Sequence, residues 1–143
     1  MNKQSQPSKS LDIPVRKFIT KRLIAVSKES TIQEAAARMC KFEISSIGIL
    51  DDEKVIGIVT DKDMKKRALG EGRSPKDSIK EIMTSDLVTV DINSTIKDAL
   101  KLMSKKRIKH ILISEQGNIV GITTRNDLED LDLQELETLI ARD

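Results

Sequence analysis

Two seven-residue stretches of the 143-residue chain carry side chains that could do chemistry: Gly57-Ile58-Val59-Thr60-Asp61-Lys62-Asp63 and Gly121-Ile122-Thr123-Thr124-Arg125-Asn126-Asp127. In each, a β-branched run ends in a hydroxyl, and a carboxylate follows three positions later. That is a strand running into the first turn of a helix, where free N–H groups and the helix dipole favour an anion. Thr60 or Thr124 can donate to a phosphate. Asp63 or Asp127, acceptor-only when ionised, can take two hydrogen bonds from a ribose diol. Thr-x-x-Asp is equally the pattern of a helix cap, and duplication copies caps as readily as sites. Spacing alone leaves both readings open.

Composition narrows the chemistry. The chain has one His (His110) and one Cys (Cys40), too few for a four-ligand zinc site or a disulfide within the chain. No nucleophile–base pair can be assembled around the single His. Asp51/Asp52 and Asp61/Asp63 read as a hairpin turn and a cap, so the chain reads as a non-enzyme. Two Phe, no Trp and no Tyr leave no aromatic platform or cage. The lone Cys, placed late on a helix and read as partly buried and inert, fits a cytoplasmic protein. No apolar run approaches the ~18 residues needed to span a bilayer, and the start MNKQSQPSKS is no signal peptide, so no membrane association is expected.

The net charge of +2 is unevenly spread. Residues 1–28 carry Lys3, Lys9, Arg16, Lys17, Lys21, Arg22 and Lys28 against Asp12 alone. Residues 127–143 carry seven acids against Arg142 alone. These ends can attract each other or remain two solvated faces. The run Lys101, Lys105, Lys106, Arg107 and Lys109 offers a nucleic-acid reading with steep salt dependence. The near-balanced charge, and the likeness of this run to a solvated helix face, make nucleic acid the weaker expectation.

The elements that position these residues come in duplicate. At an offset of 64, residues 18–64 lie over 82–128 without a gap, with identities including Thr20/Thr84, Thr31/Thr95, Met39/Met103, Gly57/Gly121, Thr60/Thr124 and Asp63/Asp127. Units of about 60 residues bury little alone, so the two should pack together. Each begins with a short strand (24–26, 88–90) and a Ser-Thr helix start. Thr31 with Glu34 makes a capping box, and Thr95 with Asp98 a weaker one. Ile32, Ala35, Ala36 and Met39, and likewise Ile96, Ala99, Leu100 and Met103, recur at helical spacing with one face buried. A hairpin follows (46–50 with 55–59; 110–114 with 119–123). A second helix then starts near Asp61 and Arg125. The first copy of it ends near Gly70-Glu71-Gly72 and Pro75; the last runs to about Ile140 on Leu128, Leu131, Leu133, Leu136 and Leu139. The expected organisation is a disordered tail over 1–12, a first unit over 13–72, a linker over 73–77 and a second unit over 78–143 with an extended C-terminal helix. The fold class is α/β (α+β).

Gly-hydrophobic-x-Thr-x-x-Asp closes a strand–helix–strand–strand–helix unit that occurs twice. Ile82-Met83-Thr84, Ser94-Thr95-Ile96 and Lys109-His110-Ile111-Leu112-Ile113 stand in order around it. Over roughly residues 15–130 the chain resembles a tandem pair of CBS domains, the Bateman module. The resemblance implies two β-α-β-β-α units packed with pseudo-two-fold symmetry. It implies an energy- or metabolite-sensing regulator that binds AMP, ADP, ATP or S-adenosylmethionine, as ligands rather than cofactors, in two clefts between the units. It also implies a homodimer, head-to-head or head-to-tail, that acts through its geometry on an unidentified effector protein.

Carried over by residue, Thr60 and Asp63 serve one cleft and Thr124 and Asp127 the other. Ser45-Ser46 and Lys109-His110 match the base- and phosphate-contacting pair. Arg22, Leu23 and Ile24, and Asp86, Leu87 and Val88, match positions lining the base. A proline common in the hairpin strand is replaced here by Gly48 and Leu112, a departure at the backbone edge that meets the base. With no aromatics, adenine would sit between Ile24, Ile47, Ile58, Val88, Ile111 and Ile122. Lys109, His110 and Arg125 favour several phosphates where Asp61 opposes them. The Thr124/Asp127 cleft is therefore expected to take ADP or ATP, and the Thr60/Asp63 cleft AMP, a less charged ligand or nothing. The alternatives are that Lys109 and Arg125 point to solvent, that His110 is a polar strand-edge residue, and that the module binds nucleic acid or protein without any nucleotide.

Overall fold

Helix starts decide the layout. Thr31 and Thr95 each close a capping box, with the Thr31 N–H donating to Glu34 Oε1 at 2.8 Å and the Glu34 N–H to Thr31 Oγ1 at 3.0 Å. In the second copy both bonds, between Thr95 and Asp98, are 3.1 Å, so the shorter Asp side chain closes the box as well. A computed structural model describes residues 12–18 and 22–130. The first repeat gives β1 (Ala25–Ser27), α1 (Ile32–Phe42), β2 (Ser46–Asp51), β3 (Lys54–Thr60) and a short α2 (Asp61–Asp63). From there the chain continues as a π-helix over Met64–Leu69. The second repeat gives the counterparts of β1, α1, β2 and β3 in the same order: β4 (Thr89–Asp91), α3 (Ile96–Lys106), β5 (His110–Glu115) and β6 (Asn118–Thr124), with residues 125–130 helical after it. The expected apolar face running to Ile140 lies mostly outside the described residues.

Two three-stranded sheets result, in the orders β1-β2-β3 and β4-β5-β6, each with one parallel and one antiparallel pairing. The short strands begin one residue later than the sequence suggests. Their preceding residues still pair, because Ile24 and Val88 accept from the Gly48 and Leu112 N–H groups at 2.8 and 3.1 Å. The tight hairpin turns use the left-handed region at Asp52 (φ 55°) in one copy, and at Gln116 (φ 51°) and Gly117 (φ 83°) in the other. The paired positive φ values of the second turn suit the twist of a two-residue connection.

Alternation along the strands turns Ile47, Ile49 and Val59 toward α1, where they join Ile32, Ala35 and Met39 in one core. Ile111 and Ile113 join Ile96, Ala99 and Met103 in another. Each core is closed by a segment from outside its own repeat. Ile79 and Ile82, both fully buried, cap the first; Val15, 1% exposed, caps the second. The backbone pairing is equivalent on the two sides. Ile79 N–H donates to Ser30 O at 2.9 Å and Ile32 N–H to Asp77 O at 2.9 Å. At the same positions, Val15 N–H donates to Ser94 O at 2.7 Å and Ile96 N–H to Ile13 O at 3.1 Å. The compact units are thus Leu23–Leu87, and the described residues up to Arg22 together with those from Val88 on. Sequence repeats and packing units divide the chain at different places, because a repeat of this size leaves one end of its core open for a borrowed strap.

One expectation fails. Cys40 is exposed, not partly buried. It lies one residue past the buried Met39, about 100° around α1, and so faces outward. Among the described residues no helix is long and apolar enough to cross a membrane.

Candidate functional site

The strand–helix junction of each unit is stitched to the entry of its hairpin. Asp61 N–H donates to Ser45 O at 3.0 Å, and Arg125 N–H donates to Lys109 O at 2.9 Å. The next rung is the ladder pair Ser46↔Thr60 in one unit and His110↔Thr124 in the other. In this way Ser45, Ser46, Thr60, Asp61 and Asp63 come together, as do Lys109, His110, Thr124, Arg125 and Asp127.

Around Asp63 the interactions are dense. Its Oδ2 accepts from the Thr60 N–H at 2.9 Å and from the Thr60 hydroxyl at 3.2 Å. Its Oδ1 lies 3.7 Å from Arg67 Nε, in a pair whose carboxylate is only 14% exposed. Arg67 in turn donates through Nη1 to the carbonyls of Ile82 and Met83, each at 3.2 Å. Asp63 is therefore both a cap and an acceptor whose second oxygen faces a cation. At the other junction the Thr124 hydroxyl accepts from the Asp127 N–H at 3.0 Å. Arg125 folds back along its own unit, with Nη2 3.0 Å from Ser104 Oγ and Nε 3.9 Å from Glu129. Asp61 and Lys109 are exposed; His110 is half-buried.

Comparison with known proteins decides what these junctions belong to. The CBS domain family model matches residues 15–70 and again 79–133. This chain is a pair of CBS domains. Over 114 residues it is 32% identical to the CBS domain-containing protein YhcV of Bacillus subtilis (strain 168), covering 80% of this chain and 81% of that one. An uncharacterized conserved protein from Pyrococcus horikoshii superposes with a TM-score of 0.81 at 35% identity, covering 85% of this chain and 92% of that one. The CBS domain pair of protein MJ0100, solved in complex with 5′-methylthioadenosine and S-adenosyl-L-methionine, gives a TM-score of 0.78 at 28% identity, covering 86% and 98%. The chain also matches inosine-5′-monophosphate dehydrogenases, but spans only 22% of the length of one from Korarchaeum cryptofilum (strain OPF8).

The remaining expected residues of the two CBS domains separate by burial. In the first domain Leu23, Ile24 and Ile58 are half-buried and Arg22 is exposed; in the second Leu87 and Val88 are half-buried and Asp86 is exposed. Ile47 and Ile111 cannot wall an adenine. They are 0% and 1% exposed and face the helix inside the two cores. Ile122, 9% exposed, is also nearly covered. The proline-replacing positions differ in kind. A Cβ on Gly48 would stand 2.8 Å from Leu23 Cδ2, so the Leu23 side chain occupies that space. Leu112 fills its own and is 2% exposed.

Three residues beside the Thr60/Asp63 junction were missed. Arg67 is visible in sequence as an i,i+4 partner of Asp63. Thr84 exchanges two backbone hydrogen bonds with Ile58, at 3.0 and 2.9 Å, and Met83 packs over Gly57. Nothing local in the sequence signals these last two, because they come from the strap of the other repeat.

Proposed function

We propose that this CBS pair is a regulatory module that binds an adenosine ligand, AMP, ADP, ATP or S-adenosylmethionine. Thr60 and Asp63 serve one ligand and Thr124 and Asp127 another, each Thr addressing a phosphate or equivalent polar tail and each Asp a ribose diol. The observation that carries this reading is the duplicated junction: hydroxyl, carboxylate and hairpin entry are drawn together by equivalent backbone bonds in both domains. MJ0100, with its two adenosine compounds, supports the ligand class. The half-buried Leu23, Ile24 and Ile58, with Leu87 and Val88 in the other domain, supply aliphatic walls. Ser45 and Ser46, and Lys109 and His110, supply the polar contacts beside them.

The two sites are tuned differently. Lys109 and His110 favour di- and triphosphates over what Asp61 permits, and Arg125 joins them when a phosphate draws it from Ser104 and from Glu129, 3.9 Å away. Arg67 adds a cation beside Asp63, but its charge is committed to that carboxylate and its donors to backbone carbonyls. The Thr124/Asp127 site therefore takes ADP or ATP, and the Thr60/Asp63 site AMP, a less charged ligand or nothing. Output passes from a homodimer to an effector protein in the cytoplasm. A thermal-shift screen of AMP, ADP, ATP, S-adenosylmethionine and NAD tests the ligand class. Ligand at ~100 times its Kd adds about 2.7 kcal/mol. No shift with any adenosine compound overturns the reading.

One observation favours a second reading, binding of a polyanion. Lys97, Lys101, Lys105 and Lys106 are all exposed on α3, where the matching α1 positions are Gln33, Ala37, Lys41 and Phe42. A gel shift with nucleic acid at two salt concentrations exposes it, because binding carried by phosphate contacts falls steeply with salt.

A further inference from the structure

Arg67 touches both the Asp63 carboxylate and the strap that closes the core of the first CBS domain. Its Nε faces the Oδ1 of Asp63 at 3.7 Å, while its Nη1 is held by the carbonyls of Ile82 and Met83 at 3.2 Å. Both Thr60 donors fall on the other carboxylate oxygen, Oδ2. A ligand hydroxyl that addresses Asp63 must therefore approach Oδ1, the oxygen that Arg67 attends. On the far side of the guanidinium, residues 79–84 are the strap that caps this domain's core and leads in sequence to β4. That strap is secured again at Thr84, paired in both directions with Ile58, and at Met83, whose side chain packs over Gly57.

We propose that Arg67 is a positioning residue that couples occupancy of the Thr60/Asp63 site to the strap entering the second CBS domain. The inference rests on the ligand reading above and adds the route by which one site is read out. A guanidinium suits this task because its fork is planar and permanently charged, so one group serves a carboxylate and two carbonyls at fixed geometry. A ligand hydroxyl on Oδ1 removes water from around the ion pair. With less screening, the carboxylate holds the guanidinium, and through it the Ile82–Met83 backbone, more firmly. At the equivalent position of the second domain, 64 residues after Arg67, the sequence has Leu131, a side chain that cannot form this ion pair. By linkage, whatever loosens the strap must also weaken the ligand at this site.

Hydrogen exchange of the peptide spanning residues 79–87, with and without saturating AMP or S-adenosyl-L-methionine, tests the coupling, with calorimetry run on the same samples. In the wild type, ligand should slow exchange of that peptide by at least about threefold. Arg67→Leu should speed exchange without ligand and abolish the ligand-dependent slowing, while affinity falls by no more than about tenfold, since Asp63 and Thr60 remain. Arg67→Lys keeps the charge without the fork; it should lose most of the slowing and, by linkage, about the same threefold in affinity. Persistence of the full ligand response in Arg67→Leu overturns the coupling while leaving the ligand reading intact. So does a wild type that binds ligand with no change in the peptide. A wild type that binds neither compound in the calorimeter fails at the ligand reading itself, and the coupling falls with it.

Discussion

The two CBS domains share their backbone plan and differ at their rims and at a few covered positions. Lys28, ion-paired with Asp51 at 3.1 Å, stands where the second domain has Ile92, buried in the core beneath the Val15 strap. Gly48 stands opposite Leu112, Asp61 opposite Arg125, and Ser45-Ser46 opposite Lys109-His110. By contrast Ile32/Ile96, Ala35/Ala99 and Met39/Met103 are the same residue in both copies and buried in both. Packing density restrains these shared positions, since a methylene gained or lost there is felt at once. The rim answers only to what it binds. Copies of one unit have therefore kept a common core while their sites moved apart in charge.

The strongest break in that comparison comes from the straps. Ile79→Ala should destabilise the first domain by about 2–5 kcal/mol, whereas Val15→Ala should cost the second about 2 kcal/mol, for the smaller side chain. Denaturant midpoints give the sizes, and hydrogen exchange gives the addresses: Ile79→Ala should loosen α1 and β2 before α3 and β5, and Val15→Ala the reverse. If each variant instead loosens the repeat to which it belongs in sequence, the exchange of straps is wrong.

Next in size is Gly48→Leu, which gives the first domain the second domain's residue. The added side chain must displace Leu23, at an overpacking cost of about 1–3 kcal/mol, and it should weaken any ligand resting on Leu23 and Ile24. A stability equal to wild type would show that Leu23 has somewhere else to go.

Smaller again is the charge exchange at the helix entries. Asp61→Arg should raise the preference of the first site for ATP over AMP, and Arg125→Asp should lower that of the second, each by roughly fivefold, as expected for about 1 kcal/mol between charges in a wet site. Titrations with both nucleotides measure the ratio. Unchanged ratios would mean that the rim charges do not reach the phosphates.

The smallest effect is at Lys28. Hydrogen bonding and charge from Asp51 hold its ammonium above the usual lysine range. Because the folded value is raised, the pair stabilises at neutral pH, and its contribution is lost as pH climbs through and beyond 10.5. Lys28→Met should be slightly less stable than wild type at pH 7, most visibly at low salt, and indistinguishable from it in the alkaline range. A constant difference across pH would assign the effect to packing instead.

Most of the fold is legible in the sequence because it is local. Capping boxes at Thr31 and Thr95, the i, i+3, i+7 stripe ending at Met39 and Met103, and the two hairpins each declare themselves within a dozen residues. The sites are legible to the same extent: Thr60 with Asp63, and Thr124 with Asp127, sit inside one turn. What escapes is non-local. No pattern in residues 13–18 says that Val15 serves the second core, and none in 79–84 says that Met83 and Thr84 stand beside Gly57 and Ile58. The depth of a strand residue escapes too. Ile47 and Ile58 read alike as apolar strand positions, yet one lies wholly in the core and the other half out of it, because they point to opposite faces of the sheet.

The central claim is that each domain reads an adenosine ligand through its own carboxylate, and isothermal titration of AMP, ADP, ATP and S-adenosylmethionine tests it most directly. The wild type should bind. Asp63→Ala and Asp127→Ala should each lose one class of site, by about 1.5–3 kcal/mol or roughly ten- to a hundredfold. AMP binding should fall more in the first variant, ADP and ATP binding more in the second, and the double variant should bind none of the four. A double variant that titrates like the wild type, or a wild type that gives no heat with any of them, would contradict it.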